Sequence, residues 1–149
     1  MQKYLAGIGI GALLILAWFS GCDMLNTQPN HITVNIMATI DVIVTDTNNV
    51  ILNTSVDTIP VTIIMTKNGG DQLVFQRVVQ NGQCQATGVI DLTKGQNIEI
   101  TATIQSGYGN FYPVAPGTAT LQWESVNGSE NFGDMYDWYP HIPLKMKQQ

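Results

Sequence analysis

Charge is scarce in this chain: only 11% of its 149 residues are Asp, Glu, Lys or Arg, and just six of those are basic. With Lys3 assigned to a leader, five basic side chains face eleven acidic ones. No basic stripe remains to neutralise phosphates, which argues against nucleic acid as a partner. Histidine is almost absent. His31 and His141 are the two in the chain, too far apart in sequence for a His-x-x-x-His pair and without a Cys/His cluster to hold zinc. None of the five serines stands in a Gly-x-Ser-x-Gly elbow, and no glycine-rich loop follows a strand to open a helix. These absences predict a protein that is not an enzyme, with no catalytic residue, no metal and no cofactor. Glu124, Glu130, Asp134 and Asp137 offer oxygens of the kind Ca²⁺ takes, but their spacing matches no calcium loop and solvated charges are the expectation.

Long apolar runs are also lacking, with one exception. Tyr4 to Phe19 carries no charge, follows Lys3 and ends in Ser20-Gly21-Cys22-Asp23. A positive start, an apolar stretch and a small-residue cleavage site make a signal peptide. The run is short for a membrane span, which takes roughly 20 apolar residues. The residues Phe19-Ser20-Gly21-Cys22 resemble the lipobox of prokaryotic lipoproteins, with Phe19 standing where that family prefers Leu. The resemblance implies cleavage before Cys22, lipidation of its thiol and anchoring to the membrane by an N-terminal lipid. One acyl chain binds only marginally and two or more hold firmly, so a lipidated cysteine is a sufficient anchor. Asp23 looks like the residue that keeps some two-membrane bacterial lipoproteins at the inner membrane. An uncleaved anchor and a plain secretory leader are the alternatives.

Cysteine is limited to Cys22 and Cys84. Lipidating the first leaves the second without a partner in the chain, so the domain must be held by its core rather than by a disulfide. Cys84 is in phase with Ala86 and out of phase with Gln83 and Gln85, which predicts a buried thiol; a reactive or intermolecular one is the alternative.

What is abundant is β-forming. The predicted organisation is a signal peptide over 1–21, a lipidated tether over 22–31 and one β-sandwich domain over 32–149. Ile32, Val34, Ile36, Ala38, Ile40, Val42 and Val44 alternate with a mainly polar set, a period of two that means strand. Its length suggests a bend or sheet switch near Met37–Ile40. Turn chemistry follows at 46–49, 67–71, 81–82 and 93–96, with strands expected near 59–66, 72–80, 84–92, 98–104, 118–124 and 139–147. Seven strands with short turns argue for an all-β, antiparallel sandwich. Val44-Thr45-Asp46, Pro60-Val61-Thr62-Ile63, Asn81-Gly82-Gln83 and Gly95-Gln96-Asn97-Ile98-Glu99-Ile100 resemble an immunoglobulin-like or transthyretin-like (carboxypeptidase-regulatory-like) domain over roughly residues 40–105. The Cys…Trp…Cys core of antibody domains is missing, so the resemblance implies fold alone.

Aromatic residues are unevenly placed. After the leader, eight of nine fall between Tyr108 and Tyr139. Tyr108, Phe111, Tyr112, Phe132, Tyr136 and Trp138 are the candidate binding residues, with binding expected through the loops at 106–117 and 125–139. Aromatic faces with polar tips suit an envelope protein or a glycan partner. The competing expectation is that Trp123 is core and the rest plug one end of the sandwich. Asn53-Thr54-Ser55 and Asn127-Gly128-Ser129 fit the N-glycosylation pattern, which matters only in a cell that glycosylates there. The expected function is a non-catalytic interaction or structural module of the cell envelope, periplasmic or on the cell surface. A carbohydrate- or small-ligand-binding module is the second.

Overall fold

The computed structural model describes residues 31–52, 56–68, 70–105, 107, 109–126 and 135–148. The expected signal helix, Cys22 and the tether up to residue 30 lie outside them, as do Tyr108, Phe132 and both glycosylation asparagines.

Two sheets face each other across one core. The first is built from β1 (His31–Thr45), β4 (Gln83–Thr93), β6 (Phe111–Pro113), β8 (Met135–Trp138) and β9 (His141–Gln148). Its order is β4-β1-β9-β6, with β8 also beside β1. The second runs β3-β2-β5-β7, from β3 (Gln72–Val78), β2 (Pro60–Lys67), β5 (Asn97–Thr103) and β7 (Gly117–Gln122). A single helical turn, α1 (Trp123–Val126), follows β7 and buries Trp123 and Val126. The chain is an all-β sandwich, as its alternation predicts.

β1 neither bends into the other sheet nor breaks. One edge of it pairs antiparallel with β4 from His31↔Thr93 to Asp41↔Gln83. The other edge pairs parallel with two strands in succession, β8 over Thr33–Ile36 and β9 over Thr39–Thr45. Between those partners the Thr39 N–H donates to the Pro140 carbonyl at 2.9 Å, which carries the ladder across the gap. The sandwich is therefore antiparallel except along this edge.

Burial follows the phase of each strand. Ile32, Val34, Ile36, Ala38 and Ile40 meet Val61, Ile63 and Met65 of β2, Ile98, Ile100 and Ala102 of β5 and Ile142, Leu144 and Met146 of β9 in one cluster. Most are β-branched, which fits a pleated and half-buried surface. Cys84 joins them, buried and unpaired.

The turns obey the sequence. Asp46 accepts the N–H groups of Asn48 and Val50, both at 2.8 Å, so this carboxylate is spent on its own turn. Asn81 (φ 51°) and Gly82 (φ 78°) form the two-residue turn expected there, closed by reciprocal bonds between Gln80 and Gln83. The strands that flank it then part, β3 to the edge of one sheet and β4 to the edge of the other.

Candidate interaction surface

The outward residues of the first sheet form rungs across β4, β1 and the β8/β9 edge. Near the start of β1, the Thr33 hydroxyl donates to Asp91 at 2.7 Å. Next, the Asn35 amide donates to Asp137 at 2.9 Å. Further along, Gln85 donates to the Thr39 hydroxyl at 3.3 Å and Gln83 to Asp41 at 2.6 Å. Asp41 also faces the His141 ring nitrogen at 3.1 Å. These pairs link neighbouring strands and fix the polar groups in place.

The middle rung is apolar. Met37 sits opposite Thr87, diagonal to Val89, and beside the break between β8 and β9 that carries Tyr139. Val89 and Tyr139 are each 60% exposed and Met37 41%, and Met135 of β8, at 61%, adds another exposed apolar side chain beside Thr33 on this face. A depression of about 290 Å³ opens at the middle rung, lined by Met37, Val89 and Tyr139 with Asn35, Thr87 and Gly88. Gly88 contributes no side chain to it. Chemically the surface offers an aromatic ring and two aliphatic side chains, rimmed by an amide, a hydroxyl and carboxylates. That set can bind and orient, through apolar burial at the centre and hydrogen bonds at the rim.

Of the six aromatic candidates, four are described. Phe111, Tyr136 and Trp138 are half-buried and pack on the core. Tyr112 is exposed. They do not gather in one place: Tyr136 pairs with Val34, whereas Tyr112 pairs with Lys147, itself opposite Thr45. Eleven residues of β1 separate those positions, roughly 36 Å at 3.3 Å per residue. Trp123 is buried in α1, as one of the two expectations had it.

Met37 and Val89 lie outside the expected binding loops, whereas Tyr139 ends the one expected at 125–139 without being among its candidate residues. Met37 stands in the outward phase of β1 among threonines, asparagine and aspartate, and Val89 in the outward phase of β4, so both were readable as apolar residues on a polar face. Tyr139 was not, because its exposure follows from the break between two short strands.

Comparisons with protein-family models, with curated proteins and with solved structures found no match to this chain.

Proposed function

We propose that this chain is a lipid-anchored, extracytoplasmic module of the cell envelope that works by holding a partner rather than by catalysis. The observation that carries the reading is the apolar centre at Met37, Val89 and Tyr139, exposed on the sheet face and rimmed by hydrogen-bonded polar pairs. Exposed apolar patches with polar rims are what interaction sites look like. The leader ending in Ser20-Gly21-Cys22 supports the anchor, with Cys22 the lipidated residue. β1 lies between β4 and β9 rather than pairing with β2, unlike the first strand of antibody domains, and this favours the transthyretin-like form of the sandwich.

The test is photocrosslinking in native membranes, with Tyr139 replaced by a photoreactive phenylalanine analogue. A discrete envelope neighbour, lost when Met37→Ala is added, is the expected result. Crosslinks no different from those made at Thr118, on the opposite sheet, would sink the reading. The anchor is tested separately: mass spectrometry of the N-terminal peptide is expected to give a diacylglycerol-modified Cys22, and an unmodified Cys22 still joined to Gly21 rules it out.

A second reading, a carbohydrate- or small-ligand-binding module, is favoured by the depression beside Tyr139, where an aromatic ring stands next to Asn35 and Thr87. It moves the binding centre from the loop aromatics at 106–139 to the sheet face. Trp138 adjoins Tyr139 in sequence, so a soluble glycan that changes its fluorescence in the native chain but not in Tyr139→Ala supports this reading over the first.

A further inference from the structure

Each sheet ends in strands whose outer edge has no strand beside it among the described residues, and such edges are templates for further pairing unless something blunts them. They are blunted to different degrees here. β6 is three residues long and ends in Pro113, and β8 is four residues long. On β3 the Gln76 carbonyl is taken by Arg77 Nη1. β3 and β7 are seven and six residues long. β4 is the longest of these edges: eleven residues, with no proline or lysine among them.

The direction of its backbone groups follows from the bonds around it. Thr39 donates toward the β9 side, so the Thr39↔Gln85 rung carries no bonds between β1 and β4. Gln85 therefore points its N–H and C=O away from β1, and its carbonyl accepts Arg77 Nε at 3.1 Å on that outer side. Every second residue does the same. At one end of the edge, Gln83 is closed by Gln80. At the other, the Thr93 N–H and C=O are closed by Gln96. Between these stops lie Thr87, Val89 and Asp91, whose outward N–H and C=O groups have no partner among the described residues.

We propose that this window pairs antiparallel with the same window of a second copy, about a two-fold axis at Val89. The register is self-complementary. Val89 meets Val89, and Thr87 meets Asp91 of the second copy, which places a hydroxyl against a carboxylate and no like charges opposite each other. Gln85, whose carbonyl Arg77 already holds, comes opposite Thr93 of the second copy, closed by Gln96, so the pairing stops there and only the Gln85 N–H stays outside it. The six open groups of Thr87, Val89 and Asp91 in each chain then find partners, in six hydrogen bonds. On the inner side Gly88 falls opposite Ile90 of the second copy, a glycine leaving room for a branched side chain. On the outer side Val89 continues the apolar strip begun by Met37. The proposal goes beyond the envelope reading and does not rest on it: either can fail while the other stands.

The full chain in detergent solution tests it by sedimentation and by disulfide trapping. Residues facing each other in a hydrogen-bonded antiparallel pair have Cα atoms about 5.5 Å apart, within disulfide reach. Val89→Cys is expected to give a disulfide-linked dimer well above the background of the unsubstituted chain, and Val74→Cys, on the β3 edge, is not. Val89→Pro removes an outward N–H that β1 does not use. It is expected to weaken the dimer roughly tenfold or more, with circular dichroism unchanged. An unsubstituted chain that stays monomeric across the micromolar range would overturn the proposal. So would Val74→Cys linking as fast as Val89→Cys, which also decides the matter should the proline variant fail to fold.

Discussion

At Gly117 the backbone of β7 runs against the backbone of β9. A Cβ built there would stand 2.7 Å from the Pro143 carbonyl oxygen and 2.7 Å from Ile142 Cγ2. Main chain cannot step aside as a side chain can, so Gly117→Ala is expected to cost about 1–3 kcal/mol. Gly88 makes the contrast. Its nearest neighbours are Leu73 Cδ1 at 3.0 Å and Met65 Sδ at 3.1 Å, the ends of flexible side chains. Urea denaturation of both variants should place Gly88→Ala much closer to the unsubstituted chain.

Cys84 bears on stability as a titrating group. Burial pushes its thiol above the ordinary value of 9.0, partly offset by the Arg77 charge. The unfolded chain therefore ionises first as pH rises. The stabilisation from the buried neutral thiol is complete below pH 9, shrinks above it and is gone beyond the folded-state value. Chemical denaturation between pH 8 and 11 should show a downward slope that Cys84→Ala reduces. In the same native chain at pH 7, Cys84 should resist alkylation and react at once in denaturant.

Among the elements, the Asn81-Gly82 turn decides where β4 starts. Gly82 holds φ at 78° and its N–H donates to the Val56 carbonyl at 3.1 Å. Gly82→Ala should lose about 1 kcal/mol, read as a shift in denaturation midpoint with unchanged slope. This turn was legible because Asn-Gly is the dipeptide such geometry demands. The partition of β3 and β4 into different sheets was not, since a turn fixes only the residues next to it. The same limit explains β1. Its period showed which side chains face inward, but alternation says nothing of neighbours, so the parallel partners β8 and β9 were invisible. β6 and β8 are too short to show a period and exist as strands only because β9 and β1 offer them an edge. In the candidate site, the run of aromatics was plain in the sequence while their direction was not: Phe111, Tyr136 and Trp138 turn inward and Tyr139 outward.

The described sandwich is closed by its first and last strands. β9, the last described strand, pairs with β1, the first, and places the fully buried Ile142, Leu144 and Met146 in the core. Leu144→Ala is expected to cost about 2–5 kcal/mol. Removing residues 141–149 should leave a chain without a cooperative thermal transition. Pairing Thr39 with His141 is a distant contact, so folding is expected in milliseconds to seconds by stopped-flow fluorescence.

Because β1 and β9 run in the same direction, His31 and Gln148 lie toward opposite ends of the first sheet. A pull on the two ends of the domain therefore acts along these strands and loads the rungs from Thr39↔His141 to Thr45↔Lys147 together, in shear, instead of peeling them one at a time. A domain without a disulfide among its described residues thus has a mechanical clamp made of backbone hydrogen bonds. It would resist tension along the strands far better than across them.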